Sequence, residues 1–469
     1  MIFTSIDFIV FYAILMLMLF FFRADAARQY ILLLASYIFY GWWNPVFVLL
    51  ILASSLQGWY LGILIDRSRD EKKKSLYLFI SLTISLGMLA YYKYADFIVQ
   101  NVFTAIGLEW HYQLDITLPV GISFFTFQTM SYGIDLKRGK ISVCKSLPQF
   151  MLFVAFFPQL VAGPIVRASE FLPQLLKRID INRENIILGI QIFIGGAIQK
   201  VLFADNLSKF VDPIFADPEL FSSSTLWLGI IAYSVQIFCD FSGYSLMAIG
   251  IAKTLGFSLP KNFDMPYVAR SITEFWRRWH ITLSFWLRDY LYIPLGGNRK
   301  GTVRTYVNLM ITMVLGGLWH GASWNFVIWG VLHGSALAIH KLWMAVTGHW
   351  NDGIRQHLVY RVTAWSVTLL FLLLTWIPFR SPDFSQTTLY LKGLLGNDSG
   401  VEWINPTVVI ILVMVACWHM LYIFRIPHYV KFPVLNVNTV YSQIVIGGSL
   451  LALAMFAPIN TSPFIYFQF

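Results

Sequence analysis

Long apolar runs separated by short polar links alternate along the chain, and this pattern predicts membrane-spanning helices. Residues 6–22 are apolar except for Asp7, a length sufficient to cross a bilayer. Residues 30–65 contain two apolar runs broken at the sequence GWWNP, and the break predicts a helical hairpin with an aromatic turn. Further helices are predicted at 75–92, 186–203, 227–238, 362–378, 406–424 and 440–457. The whole pattern predicts about 11–13 membrane segments.

Two stretches are apolar but are punctuated by residues that interrupt helices. Residues 118–140 contain Pro119, Gly121 and Gly133 among several Ser, Thr and Gln side chains, and residues 150–160 lead into the sequence FPQLVAGPIVR. Irregular backbone is tolerated at membrane depth only where protein encloses it or where it lines a cavity. We therefore expect short broken or re-entrant helices in both stretches.

Composition supports an integral membrane protein. Of the 469 residues, 57% are hydrophobic, 17% are aromatic and only 12% are charged. The net charge of +10 is carried in short loops such as DRSRDEKKK at 66–74, which we expect to be cytoplasmic. No basic domain or RNA-reading module suggests a nucleic-acid partner. We predict an all-α integral membrane protein in which residues 1–469 form one multi-pass domain, with a catalytic core at about 118–345.

Neither the N-terminus nor the cysteines provide a candidate functional site. The first apolar run lacks the basic residues that precede a signal peptide's apolar region, so we expect it to be a retained helix. The three cysteines, Cys144, Cys239 and Cys417, are far apart and form no CxxC motif. Neither a disulfide framework nor a thiolate metal site is expected.

His320 lies in the apolar sequence LGGLWHGASW, next to Trp319 and close to three glycines. An ionisable residue inside a membrane-length apolar segment is costly to keep, and its default interpretation is functional. The glycines permit close approach of helices or substrate, and tryptophan limits access of water. An imidazole here can therefore stay neutral and accept a proton from a hydroxyl nucleophile. The alternative is a packed histidine that forms a hydrogen bond across helices.

His280 lies in the sequence RRWHITLSFWLRDY, in which basic residues are interspersed with tryptophans. The guanidinium groups of Arg277, Arg278 and Arg288 are suited to phosphate, as on coenzyme A, because they bind oxyanions in a bidentate manner. They also fit the alternative of positive-inside anchors in an aromatic belt, which is favoured for Arg277 and Arg278. Asp289 beside Arg288 predicts an internal ion pair.

Three more residues are candidates for a site. Asp240 lies in the apolar sequence CDFSGYSLMAIG and is expected either to pair with an arginine or to orient a histidine, of which the first is commoner. His333 and His340 are seven residues apart and fall on one helical face. No third or fourth ligand is evident nearby, so we expect no metal site.

Two long blocks carry a resemblance to a known family. The blocks FWRRWHITLSFWLRDYLYIPLGGNR and GGLWHGASWNFVIWGVLHG resemble the bacterial membrane-bound O-acyltransferase family, in particular its alginate and peptidoglycan O-acetyltransferase types. Supporting blocks are LPVGISFFTFQTMSYGID, FFPQLVAGPIVR, FDMPYVARSITEFW and the terminal SPFIYFQF, so the resemblance covers nearly the whole chain. One departure is Leu246, where relatives often carry an acid.

The resemblance implies a fold and a set of roles. The family fold would be a ring of helices around a thin core, with a tunnel that joins the two sides of the membrane. His320 would fall on the presumed catalytic base, and His280 would line the same tunnel and orient or stabilise the reacting carbonyl. The remaining candidates for tunnel or substrate contacts are Trp279, Trp286, Arg288, Asp289, Trp319, Asp240 and His333.

From these observations we expect a membrane O-acetyltransferase of the bacterial cytoplasmic (inner) membrane. Its donor would be cytoplasmic acetyl-CoA, with no resident cofactor, and its final acceptor a cell-envelope polysaccharide. The resemblance also implies an extracytoplasmic partner with a serine-esterase-like fold. The alternatives are D-alanyl transfer to teichoic acid, a membrane transporter of an envelope precursor, and an inactive scaffold for envelope assembly.

Overall fold

Helices make up the regular structure of the chain. The computed structural model describes residues 1–108, 114, 116–348, 352–396, 399–423 and 435–457. Within these residues no strand forms, and the one isolated bridge joins Phe221 and Val401. The prediction of an all-α protein is confirmed. The terminal SPFIYFQF block lies outside the described residues.

Six of the described helices are long and apolar enough to cross a membrane. They are Val46–Arg67, Ser223–Thr254, Leu358–Arg380 and Pro406–Ile423, together with Glu71–Ala105 and Arg183–Ala216, each of which contains a short π-helical turn. Two predicted spans form shorter apolar helices at Ile6–Phe21 and Val440–Phe456. The chain is a multi-pass membrane protein, and the total of about 11–13 membrane segments stays a prediction.

The described chain divides into two compact units. One comprises Met1–Phe193 and Ser245–Pro260, and the other comprises Ile194–Tyr244 and Lys261–Phe469. The assignment of residues 1–469 to one domain, with its core at about 118–345, stays a prediction.

The described part of the first unit contains nine complete helices and most of a tenth. They are α1 (Ile6–Phe21), α2 (Asp25–Gly41), α3 (Val46–Arg67), α4 (Glu71–Leu89), α5 (Ala95–Ala105), α6 (Ile122–Lys137), α7 (Leu147–Ala155), α8 (Phe157–Leu160), α9 (Ala168–Leu175) and α10 (Arg183–Ala197). The hairpin predicted around GWWNP is the α2–α3 pair. The expected break near 150–160 occurs at Phe156, between α7 and α8. Residues 118–140 instead contain one continuous helix, α6, because Pro119 and Gly121 precede it.

Within the described residues, the second unit contains ten complete helices and most of an eleventh, together with the end of α10. They are α11 (Asp205–Ala216), α12 (Ser223–Thr254), α13 (Ile272–Trp276), α14 (Ile281–Leu287), α15 (Thr302–His320), α16 (Trp324–Val346), α17 (Asp352–Gln356), α18 (Leu358–Arg380), α19 (Phe384–Leu395), α20 (Pro406–Ile423) and α21 (Val440–Phe456). The last residues of α12 belong to the first unit. Short π-helical turns occur at Ile198–Ala204 and Arg288–Tyr292. Among the six described helices of membrane length, α12 is the most buried. Of its apolar 18-residue stretch, 89% lies inside the protein.

Candidate functional site

Close packing of α15 against α16 fixes the position of His320, the last residue of α15. A Cβ on Gly317 would collide with the carbonyl oxygen of Phe326, and a Cβ on Gly330 would lie 2.5 Å from the carbonyl oxygen of Met313. Only glycine allows the two backbones to approach this closely, as in other tightly packed membrane helices. His320 ends α15 and α16 begins at Trp324, so only three residues connect the two packed helices.

Aromatic rings surround the imidazole of His320. Its ring centroid lies 5.0 Å from that of Trp319, 5.1 Å from Trp329, 5.0 Å from Phe379 and 6.3 Å from Phe326. The side chain is buried. The chain therefore keeps an ionisable side chain in surroundings that are almost entirely apolar.

His280 has a backbone conformation that side-chain-bearing residues rarely adopt. Its φ is 41° and its ψ is 55°, in the left-handed region, immediately before α14 begins. The peptide N–H of the next residue, Ile281, donates to the carbonyl oxygen of Asn262 at 2.9 Å. Strain of this kind persists only where the surrounding structure enforces it, and it is concentrated at functional sites.

The side chain of Asn262 determines the tautomer of His280. Asn262 Oδ1 accepts a hydrogen bond from Thr282 Oγ1 at 2.8 Å and another from Thr282 N at 3.3 Å. It lies 3.1 Å from His280 Nδ1. Because the amide oxygen can only accept, Nδ1 carries the proton and donates it to Asn262. Nε2 of the neutral ring is then a bare, buried acceptor, and no described residue forms a hydrogen bond with it.

Trp319 joins the two histidines into one cluster. Its ring centroid is 5.7 Å from that of His280 and 5.0 Å from that of His320. We call the group of His280, Trp319, His320, Trp329 and Phe379 the histidine chamber. It is apolar apart from the nitrogen atoms of its rings.

A large cavity of about 1370 Å³ is also found in the second unit, and we call it the basic cavity. Among the described residues that line it, seven carry a positive charge and two a negative charge. They are Arg270, Arg277, Arg278, Arg288, Lys341, Arg355 and Arg361, and the two acids Asp264 and Glu274. An excess of cations in a concave site raises the local concentration of anionic ligands.

The arginines of the basic cavity differ in what already binds them. Arg278 donates to Glu274 Oε1 at 2.8 Å and 3.0 Å, to Tyr422 Oη at 2.9 Å and to the carbonyl oxygen of Asp264 at 3.1 Å. Its donors are therefore largely occupied by the protein. Arg277, by contrast, is exposed and forms no hydrogen bond or ion pair through its side chain with any described residue. Of the two, Arg277 is the one available to a ligand.

A continuous row of aromatic rings leads from the basic cavity to His320. Trp276 lines the cavity, and its ring centroid is 5.7 Å from that of Trp329. Trp329 in turn lies 5.1 Å from His320. The cavity and the histidine chamber are thus separated by about one layer of aromatic side chains.

The region that contains this site matches a known family. A family model of membrane-bound O-acyltransferases matches residues 137–375, which include both histidines. A probable alginate O-acetylase of Pseudomonas putida is 40% identical over 389 residues, which cover 82% of this chain and 78% of the relative. The chain belongs to the membrane-bound O-acyltransferase family. It is accordingly an O-acyltransferase, and the resemblance seen in its motifs is confirmed.

Two further relatives distinguish branches of the membrane-bound O-acyltransferase family. A peptidoglycan O-acetyltransferase of Helicobacter pylori is 38% identical over 391 residues, which cover 78% of this chain and 73% of the relative. A teichoic acid D-alanyltransferase of Streptococcus thermophilus is 32% identical over 250 residues, which cover 48% of this chain and 57% of the relative. The O-acetylating relatives therefore share far more of the chain.

Four of the predicted tunnel residues of this O-acyltransferase occupy four different settings. Trp319 lies in the histidine chamber. Trp279 packs beside the chamber, with its ring centroid 5.1 Å from that of Trp376, whereas Trp286 packs on Tyr290 at 5.2 Å. Arg288 lines the basic cavity.

The expected ion pair between Arg288 and Asp289 is confirmed. Arg288 Nε lies 2.6 Å from Asp289 Oδ1, and its Nη2 lies 3.1 Å from Oδ2. The hydrogen bond to Asp289 raises the pKa of the guanidinium further above its ordinary value. Asp289 thus holds Arg288 in place against the rim of the cavity.

Asp240 forms a buried ion pair with a lysine, Lys200. Lys200 Nζ lies 2.5 Å from Asp240 Oδ1 and 2.8 Å from Asp205 Oδ1, and all three side chains are buried. The ion pair expected for Asp240 is thus formed with Lys200, and an arginine partner or a contact that orients a histidine stays a prediction. Lysine fits here because the π-helical turn Ile198–Ala204 directs its ammonium group between two carboxylates of the same unit. The neighbouring Phe241 contacts His280 edge-on at 4.7 Å, which links this ion cluster to the chamber.

His333 and His340 bind different hydroxyl groups. His333 Nε2 lies 3.2 Å from Thr375 Oγ1, and His340 Nδ1 lies 2.8 Å from Thr273 Oγ1. No group of three or more His, Cys, Asp or Glu side chains suited to a metal occurs within the described part of the chain. The absence of a metal site stays a prediction.

Several residues of the site were missed in the sequence. Lys200 is an ionisable residue in the apolar sequence IQKVLF, so the rule that selected Asp240 applies to it equally. Asn262 precedes His280 by 18 residues and carries no local signal. Trp329 and Phe379 are aromatic residues among many others, and only their positions around His320 distinguish them.

Proposed function

We propose that the protein transfers an acetyl group from cytoplasmic acetyl-CoA across the bacterial inner membrane, for O-acetylation of a cell-envelope polysaccharide. The observation that carries this proposal is the row of aromatic rings between the basic cavity and His320. This row places the basic cavity, as the proposed anion-binding site, and His320, as the proposed proton acceptor, within about one layer of apolar side chains of each other.

The basic cavity suits the nucleotide part of coenzyme A. A 3′-phosphate and a pyrophosphate bring several negative charges, and the cavity offers seven cations, among which Arg277 is unpaired within the described chain. The volume of about 1370 Å³ exceeds that of ordinary small-molecule pockets and accommodates a ligand of this size. Charge-assisted hydrogen bonds from arginine to phosphate are among the stronger ones in proteins.

The histidine chamber suits the transfer step. The acceptor hydroxyl oxygen attacks the thioester carbonyl carbon, a C–O bond forms and the C–S bond breaks. His320 takes the hydroxyl proton as the attack proceeds and passes it to the leaving thiolate, so that free coenzyme A departs. The aromatic rings around His320 exclude water, which protects the thioester from hydrolysis.

His280 orients the reacting groups in this proposal. Because its Nδ1 proton is donated to Asn262, its Nε2 accepts a hydrogen bond and can hold the acceptor hydroxyl in line with the carbonyl. Stabilisation of the carbonyl oxygen would require the imidazolium form, which burial disfavours.

The acceptor and partner are inferred from the relatives. The relatives that share most of the chain are named for O-acetylation of alginate and of peptidoglycan, which supports acetyl transfer to an envelope polysaccharide over D-alanyl transfer. An extracytoplasmic partner with a serine-esterase-like fold would receive the acetyl group and pass it to the polymer. Family membership also favours an enzyme over the alternatives of a transporter and an inactive scaffold.

The experiment is transfer of labelled acetyl from acetyl-CoA supplied on the cytoplasmic side of sealed vesicles. We expect His320→Ala to reduce the rate by about 10²- to 10⁴-fold, the usual contribution of a general base. His357→Ala is a matched control, because His357 is an exposed histidine of the same unit outside the chamber and the cavity. Both variants are compared with the wild type at equal membrane levels.

Two results would contradict the proposal in different ways. Full activity of a correctly inserted His320→Ala protein would remove the catalytic role of His320. If the wild type consumes no acetyl-CoA but uses acetyl or D-alanyl groups on a carrier protein, the donor assignment is wrong.

A further inference from the structure

Another cavity, of about 430 Å³, lies in the first unit, and we call it the interfacial pocket. It is lined by residues at the end of α3, in the first turn of α4, at the end of α6 and in the link 139–145. The membrane-length helix Val46–Arg67 ends beside this pocket, and the membrane-length helix Glu71–Ala105 begins there. The pocket therefore lies at the level where the apolar core of a bilayer meets its headgroups.

The interfacial pocket contains two oppositely charged side chains that have no partner among the described residues. Asp66 and Lys145 both line it, and neither forms a hydrogen bond or an ion pair through its side chain with any described residue. The two groups are also too far apart to pair with each other. A ligand that carries both a negative and a positive group can therefore bind both of them.

The donors of the interfacial pocket differ in what already binds them. Lys74 is the other cation among the described lining residues, and its Nζ atom donates to Glu71 Oε1 at 2.7 Å. Lys145 is thus the lysine that is available to an anion. The exposed hydroxyl group of Ser142, in the same link, is a second donor.

Apolar side chains complete the lining of the interfacial pocket. Ile65 and Leu136 are buried, and Ile141 and Val143 are half-buried. A small soluble anion would leave this apolar surface uncovered, whereas an amphiphilic ligand would cover it.

The surface of α4 next to the interfacial pocket is also apolar. Leu76 and Phe79 follow Lys74 along this helix, and they are 53% and 66% exposed. Exposed apolar residues of a membrane-length helix suit contact with acyl chains. The polar groups of the pocket and the apolar face of α4 are thus arranged like the headgroup and the chains of one lipid.

We propose that the interfacial pocket binds a phospholipid of the phosphoethanolamine class. The lipid phosphate accepts hydrogen bonds from Lys145 and Ser142, the ammonium group pairs with Asp66, and the acyl chains lie along α4. An anionic headgroup without an ammonium group would leave Asp66 beside a phosphate, and repulsion between like charges disfavours that arrangement. The site is independent of the proposed function, since its residues belong neither to the basic cavity nor to the histidine chamber.

The test is native mass spectrometry of the purified protein with phosphatidylethanolamine and phosphatidylglycerol at equal concentrations. For the first lipid bound to the wild type, we expect about tenfold tighter binding of phosphatidylethanolamine. Lys145→Ala should weaken the binding of both lipids about tenfold, because it removes the cation that binds the phosphate. Lys73→Ala is the matched control, since Lys73 is an exposed lysine of the same turn of α4 that does not line the pocket.

Asp66→Asn separates recognition of the ammonium group from recognition of the phosphate. It keeps the size of the side chain and removes the negative charge. We expect the affinity for phosphatidylethanolamine to fall about tenfold, whereas the affinity for phosphatidylglycerol does not fall. Asp66 and Lys145 are both exposed, so neither substitution leaves a buried group unpaired, and both variants should fold.

Three results would overturn this inference. Equal affinity of the wild type for the two lipids, unchanged in Asp66→Asn, would mean that the pocket does not recognise an ammonium group. Equal losses in Lys145→Ala and Lys73→Ala would mean that only general surface charge attracts the lipid. Displacement of the lipid by an equal concentration of soluble glycerophosphoethanolamine would identify the ligand as a soluble phosphate ester instead of a membrane lipid.

Discussion

The histidine chamber and the basic cavity differ in how far their polar side chains are buried. In the chamber, His280 and His320 are buried among aromatic rings, and a single amide oxygen, that of Asn262, determines the protonation of His280. In the cavity, charged side chains are partly open to solvent, and several are held by carboxylates or tyrosine.

The difference shows how one membrane protein can combine a solvated site that attracts anions with a dry site that suits proton transfer. Anionic ligands are attracted by cations that no carboxylate neutralises. Such cations remain charged at a low cost in free energy only where water still solvates them. Proton transfer to a neutral base and protection of a thioester require a dry site, in which fixed hydrogen bonds determine the tautomer. A row of tryptophans allows the two settings to lie within one layer of side chains of each other.

The largest effect that separates the two regions is expected at Asn262. Asn262→Ala removes the acceptor that holds the His280 Nδ1 proton, so His280 can adopt the other tautomer and rotate. We expect kcat to fall about 10- to 100-fold with little change in KM, by analogy with the loss of a partner that orients a metal-bound histidine. Single-turnover acetyl transfer measures this effect.

Asn308→Ala is the control for the Asn262 variant. Asn308 is another buried asparagine of the same unit, and it donates to the carbonyl oxygen of Gly297 at 3.1 Å. An equal loss of kcat in both variants would mean that Asn262 acts only through stability.

The next effect concerns the cavity alone. Arg277→Ala removes a guanidinium group that no described residue binds, and we expect KM for acetyl-CoA to rise about tenfold with kcat unchanged. Arg278→Ala breaks contacts with Glu274 and Tyr422, so it should lower the thermal stability more than Arg277→Ala does. If Arg277→Ala instead lowers kcat and leaves KM unchanged, the cavity does not serve the donor.

The smallest expected effect is that of salt. Raising the ionic strength from about 0.1 M to 1 M shortens the screening length from about 10 Å to 3 Å, which weakens attraction to solvent-exposed cations. We expect KM for acetyl-CoA to rise about threefold in the wild type and less in Arg277→Ala. A salt effect on kcat rather than on KM would indicate that the chamber is open to water.

Many local features could be predicted from the sequence. The apolar runs predicted the helices, because a bilayer requires long apolar segments with internally satisfied backbones. The apolar surroundings of His280, His320 and Asp240 predicted functional side chains, because an ionisable group in an apolar segment costs free energy. All three side chains are buried in the structure. The pairing of Arg288 with Asp289 could be predicted because the two residues are adjacent.

Contacts between distant segments were decided only by the tertiary structure. Neither the partner of Asp240 nor that of His280 follows from spacing, since Lys200 and Asn262 approach them through the packing of separate segments. The basic cavity likewise collects residues from 264 to 361, and its cations become one site only when those segments fold together. The periodicity of apolar residues in the sequence indicates which face of a helix is apolar. Which residue of another helix that face contacts depends on where the helices cross and on how closely their glycines allow them to approach.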